Sequence, residues 1–186
     1  MQLKNDERRY GAVAQSLHWI IAVLIFVMFG LGWTMTDLPL GPDKIKTYNL
    51  HKSIGVLILA LVAIRLAWRL YTPAPPLPAG MAGWERAAAR ASHGLLYLLL
   101  FAQPLIGIAH SGAANFPVVV FDSLTLPALV GPDEGLKKLL EGAHHWVGRV
   151  ILALVLLHVA AALRHHFFVK DDVLRRMLPG RQGGSS

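Results

Sequence analysis

Four uninterrupted apolar stretches, about 14–36, 50–71, 84–110 and 141–168, constrain this chain more than any other feature. Each exceeds the roughly 20 helical residues needed to cross a bilayer core. A lipid-exposed backbone must satisfy its own hydrogen bonds, which a helix does within one segment. The runs are continuous rather than alternating, so they read as helices and not as barrel strands. Composition agrees: 54% of residues are hydrophobic and only 16% are charged, far from the profile of an ordinary soluble domain. The expectation is an all-α integral membrane protein, a bundle of four transmembrane helices forming one domain over residues 1–180. Residues 181–186 are expected to form a disordered tail. The first stretch follows Lys4, Arg8 and Arg9 as a secretory signal would, but it is too long, and no small-x-small cleavage site follows it.

Lys and Arg orient the bundle. Lys4, Arg8, Arg9, Arg65, Arg69, Arg86, Arg90, Arg164, Lys170, Arg175, Arg176 and Arg181 fall at one end; Lys44, Lys46, Lys52, Lys137 and Lys138 fall at the other. Twelve against five places both termini in the cytoplasm. The formal charge of +7 is therefore an orientation signal, aided by anionic membrane lipids, and calls for no nucleic acid. Cysteine is absent, which excludes disulfides, iron–sulfur clusters and thiolate metal sites. Breakers mark the connections "DLPLGPDK", "TPAPPLPAG" and "NFPVVVFDSLTLPALVGPDEG". The last is apolar as well as long, and is expected to lie on the outer end of the bundle.

The nine histidines then acquire depths. His18, His93, His158, His165 and His166 lie near the cytoplasmic face; His51, His110, His144 and His145 lie near the outer one. From His144 to His158 is a step of 14 residues, which turns ~1400°, within ~40° of whole turns, and rises ~21 Å. The two project from one face at opposite depths, whereas His145 falls on nearly the opposite face from His158. Arg65 lies 14 residues beyond His51, and Arg69 one turn further. The first two apolar stretches contain no Asp or Glu to partner these arginines, so an anion such as a haem propionate would suit them. Pairing by depth joins His18 to His158 and His51 to His144. Two bis-histidine layers stacked across a four-helix bundle describe a di-haem cytochrome, with these four histidines as iron ligands. Gly55 and Gly148, one turn after His51 and His144, would leave room for a macrocycle.

Other polar residues read more plainly. His165 and His166 sit at a helix end, His145 faces lipid, and Arg149 snorkels. Trp19, Trp33, Trp68, Trp84 and Trp146 fall near span ends as an aromatic belt. His93 and His110 are balanced between packing and function. Pro104 with Gly107 indicates a helix kink.

The segments "SLHW", "NLHKSIG", "IRLAWRLYTPAPP", "SHGLLYLLLFAQPLIG" and "AHHWVGRVILALVLLHVAAALRHHFFVKDDVLRRMLP" together resemble the bacterial cytochrome b561 family over nearly the whole chain. The resemblance implies two haems b, one held by His18 and His158 and the other by His51 and His144, in a multi-pass protein of the bacterial inner membrane. It also implies superoxide oxidation coupled to ubiquinone reduction. Superoxide would meet the outer haem first, under the lysine-bearing rim. From the inner haem the electron would pass to ubiquinone near the cytoplasmic level, where Arg65, Arg69 or His93 would stabilise reduced oxygen; a quinone site beside the outer haem is the alternative. The doubled His144 and His145 depart from the single histidine frequent in relatives. Two rival functions carry different expectations. A haem-bearing anchor of a dehydrogenase or hydrogenase would need a redox protein partner, and a histidine-rich metal transporter would need inward carboxylates that this chain lacks.

Overall fold

The computed structural model describes residues 2–179. Four helices, α1 (Ala12–Asp37), α2 (Pro42–Tyr71), α3 (Gly83–Ala113) and α4 (Glu134–Arg164), are long and apolar enough to cross a membrane. Each packs on its sequence neighbour, as short connections require of an antiparallel bundle. The tail expected at residues 181–186 lies outside the described residues.

The helices outrun the apolar stretches. α2 begins about two turns before Leu50, with Pro42 in its first turn and Asp43 beside the helix N-terminus. α4 begins about two turns before Glu141, where the Asp133 carboxylate accepts from the Leu136 N–H at 2.7 Å. Hydropathy marks the part of a helix in hydrocarbon, and capping chemistry marks the part that continues into water. The start of α1 is fixed by a close approach: a Cβ on Gly11 would lie 2.3 Å from the Leu3 carbonyl oxygen, so only glycine fits where the N-terminal segment folds back on itself.

The long third connection holds an antiparallel hairpin, β1 (Val118–Val120) with β2 (Leu124–Leu126). Its turn is closed by the Ser123 N–H donating to Val120 O at 3.0 Å. Phe121 and Asp122 both take positive φ, 46° and 54°, the primed sense that follows strand twist. The hairpin lies on the outer end, as expected of that linker, but as paired strands and not as irregular chain. Ser53 of α2, 2% exposed, fastens it by donating to Asn49 O (2.8 Å) and Val119 O (3.3 Å) and accepting the Phe121 N–H (2.9 Å).

At mid-depth Ile21 and Ile25 of α1 pack against Ile54, Ile58 and Val62 of α2. Val23, Phe26, Ile64, Leu98 and Leu157 are exposed and form the apolar exterior that meets lipid. At the cytoplasmic end α4 continues as one π turn, His165–Val169, and stops at Lys170 in left-handed conformation (φ 60°). The chain then returns across the foot of α1 as a strap containing the 3-10 turn Arg175–Met177. The Trp19 indole donates to Met177 O at 2.8 Å, the Gln15 amide to Arg176 O at 3.1 Å, and Arg9 to Leu178 O at 2.8 Å.

Candidate functional site

Helical phase and depth bring the predicted histidines together in twos. The imidazole centres of His18 (α1) and His158 (α4) lie 6.2 Å apart with ring planes at 68°. Those of His51 (α2) and His144 (α4) are also 6.2 Å apart, at 67°. α4 therefore supplies one ring to each layer, and α1 and α2 supply the others. His145 is exposed on the far side. Arg149 is exposed too, its guanidinium 4.9 Å from the Trp146 ring centre.

Around the inner pair lie His93, Arg65, Arg69, Trp68 and Tyr97. The His93 ring centre is 5.3 Å from that of His158. Arg65 is within electrostatic reach of His18, His93 and His158, and one of its nitrogens donates to Ala14 O at 3.0 Å. The Arg69 guanidinium stands 6.0 Å from the Tyr97 ring centre. Among the described residues neither arginine forms an ion pair; the pairs present are Lys137–Glu134, Arg164–Glu85, His165–Asp171 and Arg176–Asp172. Asn5, Tyr10, Ala14, Arg65, Trp68, Arg69 and Tyr97 line one small cavity, and the Trp68 indole nitrogen and Tyr97 hydroxyl there are buried without partners. This wall is rich in donors and has no carboxylate, so its complement is an oxygen acceptor.

The outer pair sits between two glycines. A Cβ on Gly32 (α1) would stand 3.7 Å from His51 Cε1, and one on Gly107 (α3) 3.2 Å from His144 Cε1. Gly148 makes room for something other than a macrocycle: its missing Cβ would lie 3.3 Å from Gln103 Nε2, and that amide donates to His144 O at 2.9 Å. At Gly55 the neighbour is Met28, with Cε 3.6 Å from the would-be Cβ. The lysine rim is partly engaged. Lys44 donates to Thr36 O and Leu38 O, Lys52 to Pro117 O at 3.1 Å, and Lys137 pairs with Glu134.

Several neighbours escape a reading of the sequence alone. Gln103 sits in an apolar run beside Pro104, and its reach to another helix depends on how α3 and α4 pack. Trp19 and Trp68 lie at span ends like belt residues, yet one bonds to the strap and the other turns its nitrogen inward. His165, at the helix end, is buried and paired with Asp171 at 2.6 Å; a histidine followed six residues later by aspartate across a π turn has no simple periodic signature.

The donor geometry fits haem iron. A metal–imidazole bond of about 2 Å on each side puts two axial ring centres roughly 6 Å apart. That is the spacing of both pairs, and the rings are too far apart to hydrogen-bond directly. Nδ1 of His51 and of His144 is buried without a partner, so these rings have unspent polar capacity in the bundle interior. Among the described residues no three or more His, Asp and Glu form a group that could hold a bare metal ion; each pair would supply the two nitrogens that a haem iron takes from the protein, with His93 a third imidazole beside the inner pair.

The chain matches the model of the prokaryotic cytochrome b561 family over residues 9–180. It is 40% identical to cytochrome b561 homolog 2 of Escherichia coli strain K12, over 96% of this chain and 95% of the relative. It is 30% identical to cytochrome b561 homolog 1 of the same organism, over 94% and 99%. The probable superoxide oxidase CybB of Yersinia pestis is 27% identical, over 95% and 99%. With four membrane-crossing helices and this match along its length, the chain belongs to the prokaryotic cytochrome b561 family and is a multi-pass, haem b-binding electron-transfer protein of the bacterial inner membrane.

Proposed function

We propose that this protein is a superoxide:ubiquinone oxidoreductase that holds two haems b, one between His18 and His158 and one between His51 and His144. The observation that carries the reading is the pair of equal 6.2 Å histidine separations at opposite depths of the bundle. The name of the Yersinia pestis relative supports the choice of donor. Bound haem would supply the one-electron relay between the two faces of the membrane.

The protein's own residues have separable tasks in this scheme. His51 and His144 hold the outer group beneath the hairpin, and His18 and His158 hold the inner one above the strap. The outer lysines raise the local concentration of an anionic donor; Lys46 and Lys138 are least engaged with their surroundings. Arg65 and Arg69 neutralise carboxylates or developing negative charge at the inner level, and His93 stands beside them as a hydrogen-bond partner for reduced oxygen. The proposed reaction is balanced: two superoxide anions yield two O2 and two electrons, and ubiquinone takes up two electrons and two protons to become ubiquinol.

Anaerobic addition of a superoxide source to the purified protein should develop a reduced b-type spectrum, and added ubiquinone should reverse it. A protein that is reduced only when a separate dehydrogenase subunit is supplied would instead be a membrane anchor, and the superoxide reading would fall.

A further inference from the structure

Gln103 lies in the middle of α3, one turn before Gly107, and faces α4 at the level of Gly148. A primary amide placed in an apolar span needs partners for both its ends, because no water is there to supply them. One end is satisfied: Nε2 donates to the His144 carbonyl at 2.9 Å. That carbonyl is within reach because Gly148, one turn on, has no side chain to cover it. The other end, Oε1, is buried without a donor. His144 shows the complementary deficit, for its Nδ1 is also buried without a partner. Two residues already joined by one hydrogen bond thus leave over one acceptor and one group able to donate.

An imidazole that coordinates a metal through Nε2 carries its hydrogen on Nδ1. Such rings nearly always give that hydrogen to a carbonyl or carboxylate, which sets ring orientation and raises ligand basicity. Gly107 presses on the same ring, its would-be Cβ 3.2 Å from Cε1 and 3.5 Å from Nδ1, so the face of α3 that carries Gln103 and Gly107 is the wall against which His144 is held. None of the other three paired histidines has a comparable contact: among the described residues no side chain from another helix is hydrogen-bonded to the backbone of His18, His51 or His158.

We propose that Gln103 is the positioning residue of His144, its amide fixing the ligand-bearing turn of α4 and its Oε1 accepting the ligand's Nδ1–H. The inference rests on His144 being an axial ligand, as proposed above. It makes the outer site adjustable from α3, through a residue that does not itself touch iron.

The test uses the haem-loaded protein in detergent or nanodiscs, with haem content by pyridine haemochrome, ferric low-spin EPR and a redox titration of the two haems. Gln103→Leu removes the acceptor and leaves the ring less basic. It should retain both haems, move the outer low-field EPR line and raise the outer midpoint potential. Gln103→Glu offers a stronger acceptor and should lower that potential. The inner haem serves as the unchanged reference in each variant. Should the glutamate variant not fold, Gln103→Met, which keeps the length and lacks the amide, should reproduce the leucine result. Outer lines and potentials equal to wild type in the leucine and methionine variants would overturn the assignment, as would shifts of the same sign in the leucine and glutamate variants. His144→Ala separates the two levels of inference: loss of one haem there, together with silent Gln103 variants, refutes the positioning role alone. Retention of both haems in His144→Ala refutes the ligand reading on which it stands.

Discussion

The two ends of the bundle present the same pair of imidazoles in different surroundings. Separation and ring angle agree to within a degree, 6.2 Å with 68° at the inner end and 6.2 Å with 67° at the outer. The inner pair is ringed by Arg65, Arg69 and His93, with no carboxylate in the adjoining cavity wall. The outer pair is flanked by Gly32 and Gly107 and braced by the uncharged Gln103; its nearest chain neighbour, Lys52, is drawn away to the Pro117 carbonyl. With a haem at each pair, as proposed, geometry at the donor atoms would give the two no reason to differ in potential, and surrounding charge would. A buried cation near a metal favours the state with one more electron. On the two-haem proposal the arginines should raise the inner potential above the outer one, an order that would carry electrons from the outer face inward.

The largest effect that can break the comparison is removal of a donor. His158→Ala should leave one haem per chain, with loss of the inner one, while His144→Ala removes the outer one and His145→Ala removes neither. Pyridine haemochrome quantification with a redox titration reads all three. A His145 variant that loses the outer haem would mean that α4 presents the neighbouring residue to the site, contrary to the exposed position of His145. A smaller effect sharpens the electrostatic difference. Arg65→Gln should lower the inner potential by roughly 60 mV, a tenfold change in a one-electron equilibrium, with little change at the outer site. Arg65→Lys, which keeps the charge and loses the planar fork, should recover most of that drop. If the lysine variant behaves like glutamine, the hydrogen bond to Ala14 O and not the charge sets the inner potential.

Some of this architecture is legible in the amino-acid order and some is not, for physical reasons. A helix repeats its faces at a fixed interval, so the 14-residue steps from His144 to His158 and from His51 to Arg65, combined with depth from the basic residues, suffice to match the histidines that the fold brings together. The same logic cannot reach Gln103, because a contact between α3 and α4 depends on the rotation of both helices and on the absence of side chains at Gly107 and Gly148. The hairpin is hidden for another reason. Its turn places Phe121 and Asp122 at positive φ without glycine or asparagine, so the usual signal of a primed turn is missing. Arg65 and Arg69 show the limit from the other side: sequence reports that they lack acidic partners in the first two spans, but not that a helix carbonyl already occupies part of one of them.

The finest comparison concerns the two closures, each a short segment pinned to the bundle by side-chain hydrogen bonds. At the outer end Ser53 accepts the Phe121 N–H at 2.9 Å; Ser53→Ala leaves that donor without its acceptor, at about 1 kcal/mol. At the inner end the Trp19 indole donates to Met177 O at 2.8 Å; Trp19→Phe keeps most of the ring and removes the donor, at a similar value. Such a loss should speed local opening roughly fivefold, which hydrogen exchange reads separately in the peptides spanning 116–126 and 171–179. The serine variant should speed exchange only in the hairpin, and the tryptophan variant only in the strap. The packed Ile21–Val62 cluster between them has no polar path by which one closure would sense the other. Faster exchange at both ends from either change would show that the closures are coupled through α1 and α2. In that case the two sites could not be treated as independent, and the difference in their potentials would have to be sought in the bundle as a whole.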